Sequence, residues 1–165
     1  MASNENRSVS LGKRARQFQR YLDEQGFAFA VQELPASTRT AQDAAAAVNC
    51  EIGQIVKSLV FKNQETGEPV VVLASGPNRV DENKLGSLAS GPVKMADPAF
   101  VRSATGFSIG GVPPFGHKTA YKLVVDEDLF QYPEIWAAAG TPNAVFKITG
   151  DLAKILPPHV VGEVS

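Results

Sequence analysis

The segment ATGFSIGGVPPFGH, residues 104 to 117, constrains this chain more than any other. It carries four glycines, two adjacent prolines and one of only two histidines. Glycine weakens helix and strand interiors and proline removes a backbone donor, so regular structure must stop here and resume beyond it. A loop of this length in a small chain is either shaped by packing alone or serves a ligand. Gly110 and Gly111 place permissive backbone directly before the rigid pair Pro113 and Pro114. Consecutive amides in such a turn can converge on an anion or on a developing oxyanion. Thr105, Gly106, Ser108 and His117 add polar groups and open backbone to the same stretch. The pattern is not a dinucleotide fingerprint, since no G-x-G-x-x-G follows a strand, and it lacks a Walker lysine.

Elements can be placed on both sides of this loop. Leu11, Ala15, Phe18 and Leu22 share one helical face in SVSLGKRARQFQRYLDEQG, with Ser10 to cap the start and Gly26 to end it. FAFAVQEL reads as a strand closed by Pro35, and STRTAQDAAAAVN as an alanine-rich helix capped by Thr40. QIVKSLVFKN and EPVVVLAS, joined by QETG, read as a β-hairpin. VDENKLGSLA and DPAFVRSAT read as two further helices, the second with Asp97 as cap and Pro98 at the first helical position. Beyond the loop come a strand and turn in AYKLVVDEDLF, a strand in AVFKITG, and a short helix, DLAKIL, stopped by Pro157 and Pro158. Strands interleave with helices, yet some neighbours are joined as hairpins. The expectation is therefore an α+β domain with a mixed sheet and packed helices, not a doubly wound parallel sheet. It spans residues 10–165 behind a short disordered tail, residues 1–9.

Composition removes several classes of function. The single cysteine, Cys50, rules out an internal disulfide and a multi-cysteine zinc site, and reads as a buried structural thiol. Two histidines, His117 and His159, are too few for a His-rich metal cage, so no metal and no cofactor are expected. No apolar run reaches the roughly 18 residues of a membrane helix, and MASNENRSVS lacks the apolar core of a signal peptide. The expected address is the cytoplasm. Sixteen basic residues against seventeen acidic ones give a net charge of −1. That balance argues against a DNA-binding regulator, as does the lack of a helix-turn-helix pattern. It leaves room for a partner touched at a few phosphates, for which Lys13, Arg16 and Arg20 along the first helix are candidates.

Lys57 stands out within IVKSLVF. Strict alternation puts Ile55, Lys57, Leu59 and Phe61 on one face, so an ammonium shares a side with three apolar groups. Such a lysine either snorkels along apolar surface or lines a cleft. Lys62, beside the turn, reads as solvated. His117 has no carboxylate in the sequence marked out to orient it as a base, so it reads as a histidine bonded near the loop exit.

Three stretches, GQIVKSLVF, KMADPAFVRSATGFSIGGVPPFGHK and ITGDLAKIL, resemble the YbaK family, whose members are related to the editing domain of bacterial prolyl-tRNA synthetase. The similarity runs over roughly residues 10 to 157. The resemblance implies a compact mixed sheet, partly closed into a barrel and flanked by helices, working without a metal. It implies trans-editing: hydrolysis of the ester joining a wrong amino acid to the terminal ribose of a tRNA. By the same resemblance Lys57 lines the pocket and is needed for activity, and the amides near Gly110 and Gly111 face the ester carbonyl. An aminoacyl ester is already activated, so positioning and oxyanion stabilisation can suffice. Relatives that clear alanine carry a histidine in the segment matching WAAAGTPNAVFKI, and the cysteine-clearing branch carries an acidic residue there. This chain has neither. Ala139, Gly140, Thr141 and Asn143 stand in that neighbourhood and, with Thr105, Gly106, Ser108, Pro114 and His117, are the expected substrate-binding positions. The expected cargo is small: alanine, serine, threonine or 2-aminobutyrate. Expected partners are the acceptor end of an aminoacyl-tRNA and, further, an aminoacyl-tRNA synthetase. A catalytically idle module that docks on an acceptor end or a synthetase is the competing reading. Such a module would need neither Lys57 nor the glycine loop.

Overall fold

The computed structural model describes residues 11–165. Ser10 and the expected tail, residues 1–9, lie outside the described residues. The chain forms α1 (Lys13–Glu24), β1 (Val31–Glu33), α2 (Ala41–Val48), β2 (Val56–Asn63), β3 (Pro69–Ser75), α3 (Glu82–Ala89), β4 (Val93–Met95) and α4 (Pro98–Thr105). After the glycine loop follow β5 (Lys122–Asp126), β6 (Glu134–Ala138), β7 (Ala144–Thr149), α5 (Leu152–Ile155) and β8 (Val160–Gly162).

Helix starts follow local chemistry. Thr40 caps α2 in a reciprocal capping box with Asp43, which satisfies two otherwise orphaned backbone donors. Asp81 caps α3, and Asp97 with Pro98 starts α4. Gly12 occupies the cap position of α1 without a side-chain bond.

The strands make two sheets. One is five-stranded, in the order β4-β2-β3-β5-β8; the other is three-stranded, β1-β7-β6. The hairpin β2–β3 is antiparallel, whereas β3–β5 and β5–β8 are parallel, so the larger sheet is mixed as the sequence suggests. The sheets meet at one parallel bridge between Ile55 and Trp136. No closed barrel forms among the described residues.

The main core lies between the two sheets. Val56, Val60, Val71, Leu73, Leu123 and Val125 face Ile135, Ala137, Ala144, Phe146 and Ile148, and α1 contributes Ala15, Phe18 and Leu22. The opposite face of the large sheet, with Phe61, Val70, Val72 and Val124, is covered by Leu85 and Ala89 of α3. A third cluster packs Ala44 and Ala45 of α2 against Leu34 and Ile55, with Trp136 and Val145 beside them. Apolar burial on three sides of two sheets leaves little freedom in register, because a one-residue slip would turn each strand inside out.

Three short strands escape the sequence reading. β6 is EIWAA, whose buried positions alternate around Ile135 and Ala137, but a proline before it and alanines within it blur the pattern. β4 and β8 have three residues each, too few to display a period. FAFAVQEL yields only Val31–Glu33 as strand; Phe27 and Phe29 stack on each other instead.

Candidate functional site

The glycine loop is buried at its centre: residues 111 to 115 are all buried. Buried irregular backbone must still find partners for its polar groups. Pro113 and Pro114 help by having no N–H to satisfy. Their carbonyls are met by side chains, Pro113 by His117 Nε2 at 2.6 Å and Pro114 by the Tyr121 hydroxyl at 3.1 Å. Val112 and Phe115 anchor the segment in the core, where Phe115 stacks against Phe18 and Phe27.

Gly110 and Gly111 do different things. Gly110 has φ +90°, a conformation that favours glycine, and its amide has no hydrogen-bond partner among the described residues. Gly111 donates to the Ser108 carbonyl at 3.0 Å and accepts from the Gly140 amide at 3.0 Å. A Cβ on Gly111 would sit 2.8 Å from Thr141 Cα. The pair of free amides expected from the sequence is therefore a single one, at Gly110, with Gly111 holding the loop against the turn at Gly140.

That turn is itself tied down. Thr141 Oγ1 accepts from the Ala144 amide, and Asn143 donates to the Leu34 carbonyl at 3.0 Å. Ala139 is fully buried and pairs with Ala144. Thr105 is buried, its hydroxyl donating to Val101 and accepting from the Phe107 amide at the end of α4, where Gly106 takes the left-handed turn.

A cavity of about 390 Å³ opens beside the loop, within the range of small-molecule sites. It runs along the edge of β2. β3 pairs with β2 over Val56–Lys62, but β4 joins only from Phe61, so no strand of the sheet flanks the edge from Val56 to Ser58. Past the Ile55–Trp136 bridge, Lys57, Ser58 and Val60 line one wall and Trp136 to Ala138 another. Ile109, Gly110 and Pro142 form a lip, and Thr38, Arg39 and Thr40 ahead of α2 contribute the rim. Thr38, Arg39, Gly110 and Pro142 also border a shallower depression completed by Ala36 and Asn143.

Lys57 and Gly110 thus line one cavity. The other residues expected to bind substrate do not line it. Asn143 borders the adjoining depression; Gly111 and Gly140 are bonded to each other beside Gly110 and Thr141; Thr105 and Gly106 line a separate depression of about 270 Å³ against α1, and Ser108, Pro114 and His117 line none of these. His117 donates from Nε2, which fixes the neutral tautomer with its proton on that nitrogen. Burial holds its pKa below the ordinary value, against the pull of the Pro113 carbonyl.

The lysine has an environment no motif announced. Its ammonium donates to the backbone carbonyl of Asn78. The Asn78 amide in turn donates to Asp126 at 2.8 Å and to Asp128 at 2.7 Å. Asp126 is buried and also accepts from the Ser75 amide at 3.0 Å. Burial lowers the pKa of Lys57, while the Asp126 charge raises it. An ammonium has three N–H donors, and the other two find no partner among the described residues. They are available to a ligand carbonyl, hydroxyl or phosphate. No cluster of three or more metal-ligating side chains occurs among the described residues.

The model of the aminoacyl-tRNA editing domain family matches residues 35–155, and the chain belongs to that family. It is 32% identical, over 70% of its length and 76% of the relative's, to a candidate Cys-tRNA(Pro)/Cys-tRNA(Cys) deacylase of Enterococcus faecalis. It is 31% identical to a proline–tRNA ligase of Lactobacillus helveticus over 61% of this chain, which is 18% of that enzyme. Among solved structures, a candidate trans-editing enzyme for prolyl tRNA synthetase superposes with a TM-score of 0.87 at 49% identity, covering 94% of this chain and 98% of that one. The fold is that of the trans-editing domain.

Proposed function

We propose that this protein is a deacylase that hydrolyses the ester of a tRNA mischarged with a small amino acid. The observation that carries the reading is the meeting of Lys57 and Gly110 at one cavity, with unused N–H donors on both. Ester hydrolysis builds negative charge on the carbonyl oxygen, and donors fixed in advance stabilise it without reorganising. Water adds to the carbonyl carbon, the bond to the ribose oxygen breaks, and that oxygen takes the proton lost by the water. The products are the free amino acid and a tRNA with an intact terminal hydroxyl. In this scheme the Gly110 amide serves the oxyanion, while the Lys57 ammonium holds the carbonyl region or the terminal ribose and phosphate.

The lip and rim suit the rest of the substrate. Exposed Ile109 offers an apolar surface to a base, and Arg39, exposed and without an acidic partner among the described residues, can meet a phosphate. The names of the relatives, a candidate deacylase, a candidate trans-editing enzyme and a proline–tRNA ligase, support tRNA as partner and a link to a synthetase. The test is a panel of tRNAs mischarged with alanine, serine, threonine, cysteine and 2-aminobutyrate, each assayed for release of the amino acid. Turnover of at least one, lost in Lys57→Ala, is expected; no turnover of any would defeat the reading.

A further inference from the structure

Ser58 directly follows the cavity lysine and lines the same cavity. Its Oγ is buried and has no hydrogen-bond partner among the described residues. Strand alternation puts it on the face of Val56 and Val60, which belong to the main core together with Val101, Val112 and Ala137. All five of those residues also line the cavity. Ser58 therefore contributes a buried, unpartnered hydroxyl to a wall whose other side chains, Lys57 apart, are apolar.

Leaving a buried hydroxyl unpaired is unfavourable, and a fold with no use for it would gain by carrying alanine there. A ligand in the cavity would meet Oγ after a rotation about χ1 into one of the staggered wells open to a serine side chain. A hydroxyl can both donate and accept, so its natural complement in a small apolar pocket is another hydroxyl. In the deacylase scheme, phosphate and ribose would take their partners elsewhere, at Lys57 and at the Thr38–Thr40 rim.

We infer that Ser58 is a specificity-determining residue that hydrogen-bonds the side-chain hydroxyl of the bound amino acid, so that the cavity favours seryl and threonyl esters over alanyl ones. The inference rests on the deacylase reading of this site. A site with a polar group awaiting a substrate hydroxyl discriminates against the analogue that lacks it, because the group is then left unpaired.

The experiment compares wild type with Ser58→Ala on seryl- and alanyl-tRNA. The wild type should prefer the seryl ester, and the variant should lower the seryl-to-alanyl ratio of kcat/KM by about tenfold. Thermal unfolding of the free proteins separates this from a structural role: the variant should be as stable as wild type or more so. A ratio unchanged by the substitution, or a variant that loses stability and slows both esters alike, would overturn the inference. So would loss of the effect on substrates ending in 2′-deoxyadenosine, which would assign the hydroxyl to the ribose. Binding of stable amide analogues, seryl- and alanyl-aminoadenosine, tests Ser58 apart from turnover. Selective binding of the seryl analogue through Ser58 without hydrolysis of any ester would retain the inference and reject the deacylase.

Discussion

Lys57 and Asn78 are joined by a hydrogen bond from a side-chain ammonium to a backbone carbonyl, 21 positions apart in the chain. Asn78 is fixed in turn by two carboxylates, Asp126 and Asp128, that its own amide bridges. The arrangement holds a cation at the cavity through a neutral intermediary. A direct ion pair with Asp126 would satisfy the lysine and take it out of use; here it keeps donors for a ligand.

Replacing Lys57 by alanine should lower deacylation about 10²- to 10³-fold, a loss on the scale of removing one preorganised donor from the reacting site. Circular dichroism should remain native, because the side chain is half-buried at a strand edge. Undiminished turnover in a folded variant would reject the role given to Lys57.

Asp126→Asn tests the network behind that lysine. Asp126 raises the pKa of Lys57, so removing its charge should lower that pKa further. If turnover uses the protonated amine, the alkaline limb of kcat/KM should move to lower pH. The variant should also be destabilised by about 1–3 kcal/mol, since an amide nitrogen would face donors that now meet a carboxylate. A limb that stays in place while stability falls would show that the lysine proton is not required.

His117 should govern acid stability and not catalysis. Its folded pKa lies below the ordinary 6.5 because burial disfavours the imidazolium. Between that lowered value and 6.5 the unfolded chain binds a proton that the folded chain does not. Its contribution is thus fully present above 6.5 and declines as pH falls through that window. His117→Gln keeps a donor for the Pro113 carbonyl but cannot titrate, and should flatten the stability curve there. Thermal melts from about pH 7 to about pH 5 check this, and an unchanged slope would contradict it.

The sequence exposes what depends on local chemistry and period. Thr40, Asp97 and Pro98 mark helix starts by their own side chains, and the β2–β3 hairpin is written in its valines and its QETG turn. The pairing of Lys57 with the glycine loop comes from the family resemblance alone, since strand alternation leaves the lysine open between a snorkelling and a cleft-lining role. What sequence reading misses arises only in three dimensions. Asn78, Asp126 and Arg39 belong to a turn, a strand end and a pre-helix loop, and nothing in their spacing points to a common site. Ile55 should share the face of Leu59 and Phe61 by alternation, but it precedes β2, bridges to Trp136 and packs on α2. His117 and Gly111 look like site residues because they neighbour Gly110 in sequence. Their bonds show them satisfying the buried backbone of the loop.

Arg39 offers a measure of the contact with tRNA. It stands at the cavity rim, exposed, with its backbone amide bonded to Asp43 at 3.2 Å and its guanidinium free of acidic partners among the described residues. Each phosphate contact releases counterions and steepens the salt dependence of binding by about 0.7 to 0.9 in log–log slope. Arg39→Ala should reduce the slope by about that amount and weaken binding. Arg16→Ala and Arg20→Ala on exposed α1 serve as comparison, and each should give the same decrement if that helix also touches the backbone. An unchanged slope for Arg39→Ala, measured by titration across salt concentrations, would remove the rim from the tRNA footprint.

The two adjacent glycines should separate catalysis from folding. Gly110 lines the cavity, its amide has no hydrogen-bond partner among the described residues, and its φ of +90° costs an alanine about 1–2 kcal/mol. Its added Cβ would meet only Pro142, at 3.5 Å, which is ordinary contact. The substitution can therefore be accommodated, but at the expense of the amide's orientation. Gly110→Ala should lower single-turnover hydrolysis by roughly a hundredfold at saturating enzyme, with little change in affinity for uncharged tRNA. Gly111 has no such freedom. A Cβ there would press on backbone atoms of Gly140 and Thr141 at 2.9 and 2.8 Å, and backbone cannot swing aside as a side chain can. Gly111→Ala should cost about 1–3 kcal/mol of stability, as overpacking does, and impair hydrolysis only through the loosened lip. Thermal melts and single-turnover assays on both variants give the comparison. If Gly111→Ala melts like wild type while Gly110→Ala hydrolyses at full rate, the amide of Gly110 is not the oxyanion donor and the division of labour drawn between the two glycines is wrong.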